Sequence, residues 1–331
     1  MASAAPAPRM QRRRLLAALA SAPLAGAIDA SFAQEWPPRQ VRIIAPFPAA
    51  GTADTLARAL AQQLSEATRQ NFVVENRAGA GGAIGSDLVA KSAPDGATLV
   101  ISGIASHVVA PVTARVPYHP LDSFSHIALL GGPPAVLAVN AQAPVRNVRE
   151  FIAFANATGG GASWGSSGTG THAHLIGELF REATGARLVH ISYKGGAPVM
   201  TDLIGNQIPA SFTALSSAMP HLRTGRVRAL ALTSRNRNPE LPDVPTFAEA
   251  GFPRLTATTW FSISGPAGMP SALVAQINAE VRRALTAPRV RERLVAEGIE
   301  AADLDPAAFT QFVKSEIERW TPIARAVQPQ S

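Results

Sequence analysis

Short apolar segments alternate with helical segments along most of this chain, and this alternation limits the folds open to it. Val41–Ala45 has the pattern of a buried strand that ends at a proline. Leu56, Leu60 and Leu64 follow at i, i+4 spacing, which predicts one apolar face of a helix. Because strands that alternate with helices are joined by crossovers, the sequence predicts an α/β fold with mostly parallel sheets.

The alternation occurs in two successive units and then stops. The first unit continues with predicted strands at 72–74 and 98–102 and a helix at 84–90. An apolar strand predicted over Ile127–Asn140 leads into the second unit. That unit has predicted helices at 148–155, 172–184 and 198–204, and predicted strands at 162–165, 188–193, 208–212 and 227–233. The tail is helical in pattern at 271–286, 290–297 and 306–326, with Asp305 as the N-cap of the last helix.

The first 33 residues have the pattern of an export signal. Arg9 and Arg12–Arg14 form a basic start, and Leu15–Ile28 follows as an apolar run without a charge. Ser31-Phe32-Ala33 supplies the small residues of a cleavage site, so we predict a signal peptide over 1–33 with cleavage near Ala33. The arginine order resembles a twin-arginine signal, and Sec export stays open. An uncleaved anchor is disfavoured because the run contains Pro23 and is shorter than the roughly 20 residues of a membrane span.

Composition excludes several classes of function. The 331 residues include no cysteine, so no disulfide, thiolate nucleophile or thiolate metal site is possible. The net charge of +7 includes the arginines of the leader, and the remaining basic residues are not interleaved with aromatic ones, which argues against nucleic acid. His172 and His174 are two residues apart, unlike the i, i+4 pair of a zinc helix, so we predict no metal site. After the leader, no apolar run is long enough to span a membrane, which predicts a soluble mature protein.

Two segments superficially resemble enzyme motifs. The cluster Gly79–Gly85 has Ile84 where a dinucleotide fingerprint needs its last glycine, and it does not follow the first strand. Ser166 and Ser167 lack the nucleophile-elbow pattern because Thr169 stands in place of its second glycine. The spacing yields no acid–base pair, so we predict a protein without catalytic residues or cofactor. An exported nucleotide-dependent oxidoreductase remains an alternative.

Three loops rich in small residues follow predicted strands. They are Pro46–Asp54, Ser102–Ser106 and Gly165–Thr171. Ligands of parallel α/β sheets bind beyond the carboxyl ends of the strands, and free amides at helix N-termini attract anions. Each loop alone could be an ordinary turn with cap residues. Their occurrence in two matching units favours a site for a carboxylate.

Several motifs stand in one order between Trp36 and Trp320 and give the chain a resemblance to a known family. They are Pro46-Phe47-Pro48, Asp54-Thr55-Leu56-Ala57-Arg58, Val74-Glu75-Asn76-Arg77-Ala78-Gly79, Ala93-Pro94-Asp95-Gly96, Gly165-Ser166-Ser167-Gly168, Tyr193-Lys194-Gly195-Gly196, Leu241-Pro242-Asp243-Val244-Pro245-Thr246 and Gly265-Pro266-Ala267-Gly268. The chain resembles the Bug family, the solute-binding proteins of tripartite tricarboxylate transporters. The resemblance implies a type II periplasmic-binding-protein fold, with two α/β lobes joined by a hinge. It also implies that 34–137 and 258–331 form lobe 1 and that 138–257 form lobe 2.

The resemblance further implies where a ligand is held. The first loop and the Gly-Ser-Ser-Gly loop are expected to face each other across a cleft and to hold a carboxylate through amides and hydroxyls. The implied ligand-binding residues are Pro48, Ala49, Ala50, Gly51, Thr52, Ala53, Asp54, Ser102, Ser106, Ser166, Ser167, Gly168, Thr169, Thr171 and Thr213.

The same resemblance implies a periplasmic monomer that serves a membrane transporter subunit. A ligand-sensing receptor for a membrane sensor is the alternative with the same lobes. One departure from the family concerns Ala49-Ala50, which stand where adjacent glycines are usual. Their methyl groups would make the cleft wall more apolar, so we hypothesise a carboxylate with an aromatic or branched body.

Overall fold

The structure is a computed structural model that describes residues 1–2, 36–37, 39–49, 51–296, 298–299 and 301–326. The chain divides into two units, Met1–Glu35 and Trp36–Ser331, and the second unit contains both sheets. The predicted signal peptide therefore lies outside the described residues, apart from Met1 and Ala2. Within the ranges just given, no helix is both long enough and apolar enough to cross a bilayer.

The strands of the described chain form two five-stranded sheets. Sheet 1 consists of β1 (Val41–Ala45), β2 (Phe72–Asn76), β3 (Thr98–Gly103), β4 (Phe124–Gly131) and β10 (Phe261–Pro266), in the order β2-β1-β3-β10-β4. Sheet 2 consists of β5 (Ala135–Asn140), β6 (Ala162–Ser166), β7 (Leu188–Ser192), β8 (Ala210–Ala214) and β9 (Val227–Leu232), in the order β7-β6-β8-β5-β9.

The two sheets have equivalent topology, but sheet 2 consists of consecutive strands, whereas sheet 1 receives one strand from the C-terminal part of the chain. In both sheets four strands run in one direction, and the antiparallel strand lies in the fourth position of the order. That strand is β10 in sheet 1 and β5 in sheet 2. The chain therefore crosses from β4 to β5 and returns from β9 to β10. This topology confirms the predicted α/β fold with two lobes joined by crossing segments.

The first crossover corrects one sequence prediction. The apolar run Ile127–Asn140, predicted as one strand, is two strands that belong to different sheets. Gly132, Pro133 and Pro134 separate them, and a proline cannot donate to a strand ladder. The boundary predicted between residues 137 and 138 falls inside β5, whose first three residues pair within sheet 2. The strand β10 was absent from the prediction.

The helices pack on both faces of the sheets. They are α1 (Thr52–Thr68), α2 (Ala83–Ala90), α3 (Ala110–Thr113), α4 (Val148–Ala157), α5 (His172–Thr184), α6 (Gly196–Ile204), α7 (Leu215–Arg223), α8 (Ser271–Thr286), α9 (Pro288–Ala296) and α10 (Pro306–Ala326). The predicted bounds of α5, α8 and α10 agree with these, and the Asp305 carboxylate accepts from the Ala308 amide as the predicted cap. The helix α7 was not predicted from the sequence; it contains Pro220 in its interior.

The last helix, α10, packs against residues of both lobes. One buried cluster combines Val109 of lobe 1 with Trp164 of lobe 2 and Trp320 of α10. Nε1 of Trp260 and Nε1 of Trp320 donate to the same carboxylate oxygen of Glu316, at 3.1 and 2.9 Å. Burial raises the pKa of Glu316, and the two indole donors oppose that effect. Trp260 lies in the return crossover, so α10 is bonded to the segment that joins the lobes.

The two crossovers touch through their backbones. Pro134 of the first crossover forms an isolated β-bridge with Thr258 of the second. A Cβ added to Gly132 would lie 1.9 Å from the carbonyl oxygen of Thr259, which is far inside van der Waals contact. A side chain at position 132 would therefore force the crossovers apart.

We expect Gly132→Ala to lower the free energy of unfolding by about 2–3 kcal/mol, the usual cost of overpacking a rigid contact. The comparison is Gly159→Ala, because a Cβ at Gly159 meets no atom within 4 Å. Urea denaturation of both variants would measure the difference. Equal midpoints for the two variants would contradict the proposed backbone contact.

Candidate functional site

The carboxyl edges of both sheets meet the crossovers, and this junction is the candidate site. Phe261, at the start of β10, pairs with Gly103 at the end of β3. Ala135, at the start of β5, pairs with Ala214 at the end of β8. The loops that follow the parallel strands of each lobe therefore emerge on the side of the sheets where the crossovers lie.

The loop after β1 leads into a helix whose first amides have no side-chain cap. Gly51 is the N-cap residue of α1 and supplies no side chain, and its carbonyl accepts from the Thr55 amide at 3.0 Å. Pro48 and Ala49 are exposed, Thr52 is half-buried, and Ala53 is buried. Ala50 lies outside the described residues. The open first turn of a 17-residue helix favours an anion through its amides and its dipole.

Asp54 helps to position this loop through hydrogen bonds. The Asp54 side chain is buried, and it accepts from Nε of Arg58 at 3.0 Å and from Nδ2 of Asn76 at 2.9 Å. The same Asn76 nitrogen donates to the carbonyl oxygen of Phe47 at 3.2 Å. Asn76 therefore links the helix to the loop. The sequence analysis named Asn76 only within a motif and assigned it no role.

The glycine cluster after β2 serves packing in this structure. Gly82 precedes α2, and a Cβ there would lie 3.0 Å from Cβ of Ser106 and 3.2 Å from the Phe47 ring. The absence of a side chain at position 82 lets three loop segments of lobe 1 meet. This close packing explains the glycine at position 82 without a bound nucleotide.

Two of the predicted ligand residues are interior groups. Ser102 is fully buried, and its hydroxyl lies 2.6 Å from that of Ser262 and 2.8 Å from that of Ser264. Ser106 is also fully buried, and its Oγ lies 3.1 Å from Nδ1 of His107. Both hydroxyls are used within lobe 1, so the geometry argues against direct ligand contact for Ser102 and Ser106.

The Gly-Ser-Ser-Gly loop is held by its own hydroxyls. Oγ of Ser166 lies 2.7 Å from Nε2 of His190. Thr171 donates to the carbonyl oxygen of Gly168 at 2.7 Å and accepts from the His174 amide at 3.3 Å as the N-cap of α5. Thr169 donates to Ser192 at 3.0 Å through its amide. These bonds make Ser166, Thr169 and Thr171 supports of the loop.

Ser167 differs from its neighbours. Its side chain is half-buried, and its hydroxyl forms no hydrogen bond within the part of the chain that the structure describes. The adjacent Gly168 is also half-buried. Ser167 is thus the hydroxyl of this loop that is available to a ligand.

Thr213 offers a second unused hydroxyl. It is buried at the end of β8, and its Oγ1 has no hydrogen-bond partner among the described residues. A Cβ added to Gly196, the first residue of α6, would lie 3.8 Å from that oxygen. The helices α6 and α7 both begin here without a side-chain cap. Thr213 therefore lies where two helix N-termini meet the carboxyl edge of sheet 2.

The second loop approaches lobe 1 at Gly170. A Cβ on Gly170, in the loop of lobe 2, would lie 3.1 Å from Cγ1 of Val109 of lobe 1. The structure thus brings the second loop against the segment that follows β3. In the described ranges, no group of three or more His, Cys, Asp or Glu side chains could hold a metal ion.

Comparisons with known proteins identify the family. The model of the TctC family, described as the tripartite tricarboxylate transporter family receptor, matches residues 56–328. BugT of Bordetella pertussis is 34% identical over 322 residues, which cover 96% of this chain and 98% of BugT.

Two solved structures from Rhodopseudomonas palustris share the fold. Rpa4515 with adipate is 34% identical with a TM-score of 0.77, and the match covers 88% of this chain and 98% of that one. MatC with bound malate is 30% identical with a TM-score of 0.74, and the match covers 87% of this chain and all of the other. The resemblance to the Bug family and the periplasmic-binding-protein fold are therefore confirmed. The chain belongs to the TctC family, the receptors of tripartite tricarboxylate transporters, which are binding proteins and not enzymes.

Proposed function

We propose that this protein is a periplasmic receptor that captures a small carboxylate between its lobes. The observation that carries the proposal is the uncapped start of α1 at the junction of the lobes. Uncapped starts of α6 and α7 lie at the carboxyl edge of the other lobe. Helix amides of this kind stabilise an anion without a formal positive charge.

The composition of the two loops supports binding through amides and hydroxyls. Neither Pro46–Asp54 nor Gly165–Thr171 contains a lysine or an arginine. The direct ligand contacts we propose are the amides after Gly51, together with Ser167, Gly168 and Thr213. The ligands in the two relatives, adipate and malate, are both dicarboxylates, which supports the ligand class.

The proposed physiological role is delivery of the ligand to a membrane transporter subunit. The family description names a transporter receptor, and the leader with its arginines and apolar run supports export through a Tat or Sec route. We propose that the protein acts as a monomer and that 1–33 is removed on export. Lobe closure by rotation at the crossovers would complete the site around the ligand.

Thermal unfolding of the leader-free protein tests the ligand class. The panel consists of adipate, malate, citrate, benzoate, amino acids and NAD. We expect one class of carboxylate in this panel to stabilise the protein. A ligand at 100 times its Kd stabilises the folded state by about 2.7 kcal/mol. A response to NAD alone would overturn the proposed function in favour of a nucleotide-binding protein.

The Ala49 methyl group tests whether the ligand has an apolar body. If the methyl group contacts the ligand, Ala49→Gly should weaken binding of benzoate or a branched carboxylate about threefold, because one methyl is worth up to about 0.8 kcal/mol. Malate binding should change little. Ala267→Gly is the control, since Ala267 is an exposed alanine in the loop after β10. Isothermal titration calorimetry gives both affinities, and tight citrate binding without any aromatic binding would refute the apolar-body hypothesis.

A further inference from the structure

Two histidine rings, one buried and one half-buried, lie directly behind the Gly-Ser-Ser-Gly loop. The rings of His174, in the first turn of α5, and His190, in β7, stack with their centroids 3.8 Å apart and their planes at 13°. The Trp164 ring lies 4.5 Å from the His190 ring. His174 is only 5% exposed. His174 is thus enclosed, whereas His190 is half-buried beside it on the edge strand β7.

Each ring holds one end of the loop by a hydrogen bond. The Gly170 amide donates to Nδ1 of His174 at 3.0 Å. Nε2 of His190 lies 2.7 Å from Oγ of Ser166. Ser167 and Gly168, the proposed ligand contacts of this loop, lie between these two attachment points. A change in either ring therefore acts on the segment that meets the ligand.

The first of these bonds requires a neutral ring. Nδ1 of His174 accepts a hydrogen bond from the Gly170 amide, so a proton bound to that nitrogen would remove the acceptor and oppose the amide. Two charged rings stacked at this distance would also repel each other. Protonation of His174 therefore disfavours the observed loop conformation, and a second charge on His190 would add repulsion.

The charged groups around the pair do not offset this repulsion. Glu178, on α5, favours the charged form of His190, but it is bonded to Arg181 at 2.9 Å. The β6 groups that contact the pair, Trp164 and Ser166, are uncharged. Burial lowers the pKa of His174 to about 4. Burial and the neighbouring His174 ring lower the pKa of His190 to about 4, against the opposing effect of Glu178.

We propose that His174 and His190 are positioning residues that hold the loop in its ligand-binding form, and that protonation of His174 releases the loop. The proposal rests on the proposed function, because it names a pH dependence of the same site. The sign follows from the lowered pKa values. The unfolded or released segment takes up protons below pH 6.5, whereas the intact pair resists them until about pH 4. The binding-ready loop is therefore fully favoured above pH 6.5 and is lost progressively between pH 6.5 and 4.

The test compares the wild-type chain with the double variant His174→Asn, His190→Gln. Asparagine can present its oxygen near the position of Nδ1, and glutamine can present its amide near the position of Nε2, but neither takes a proton. Adipate is the probe, and calorimetry at pH values from 7.5 to 4.0 gives its affinity. Adipate itself takes up protons in this range, so the two proteins are compared at each pH.

We expect similar affinities at pH 7.5 and a wild-type affinity about fivefold below that of the double variant at pH 4, the effect of losing one hydrogen bond. The variant His174→Ala should bind adipate more weakly than the double variant by a similar factor at every pH. His119→Gln is the matched control, because His119 is exposed and lies in the other lobe. Parallel pH profiles for the wild type and the double variant would overturn the proposal.

A readout without ligand separates this proposal from the proposed function. Hydrogen exchange of the Gly170 amide in the ligand-free protein should lose about fivefold protection between pH 6.5 and 4 in the wild type relative to the double variant. That result, with no adipate binding at any pH, would contradict adipate as the ligand and leave the histidine pair supported. Equal protection in both proteins would refute the role of the histidines whether or not adipate binds.

Discussion

The backbone contact between the two crossovers is the constraint on which the rest of this structure depends. Sheet 1 takes its strand β10 from the part of the chain that follows sheet 2, so the chain must pass between the lobes twice. Gly132 allows the two passages to touch, and the Pro134–Thr258 bridge joins them. Because the carboxyl edges of both sheets adjoin these passages, the binding loops emerge where the lobes meet.

The two lobes prepare their loops by different means. In lobe 1, a buried carboxylate and an asparagine hold the loop, so that the helix amides beyond it stay open. In lobe 2, serine, threonine and histidine side chains hold the loop, and one hydroxyl remains unused at Ser167. Both arrangements satisfy the buried polar groups of the loop before any ligand arrives, which lowers the entropy cost of binding.

Local pattern predicted much of the fold. Apolar periodicity and cap residues located α5, α8 and α10, and the resemblance singled out the two loops that we propose bind the ligand. The break between β4 and β5 was missed because a run of apolar residues looks the same in one sheet or two. The strand β10 was missed because its partners, β3 and β4, lie far away in the sequence.

The interior roles of Ser102 and Ser106 could not be predicted either. The sequence alone does not distinguish a serine in a buried hydroxyl network from a serine that contacts a ligand. The positions of Asn76 and His190 likewise depend on strand pairing and not on nearby residues. Such roles follow from tertiary contacts, which spacing along the chain does not encode.

The position of β10 in sheet 1 determines the order in which the two sheets can be completed. This strand lies between β3 and β4 and pairs with both, yet it is made only after the whole of sheet 2. Until residues 261–266 leave the ribosome or the export channel, β4 has no partner in its own sheet. The N-terminal lobe is therefore the last to close, and a chain interrupted before β10 contains one complete sheet and one divided sheet.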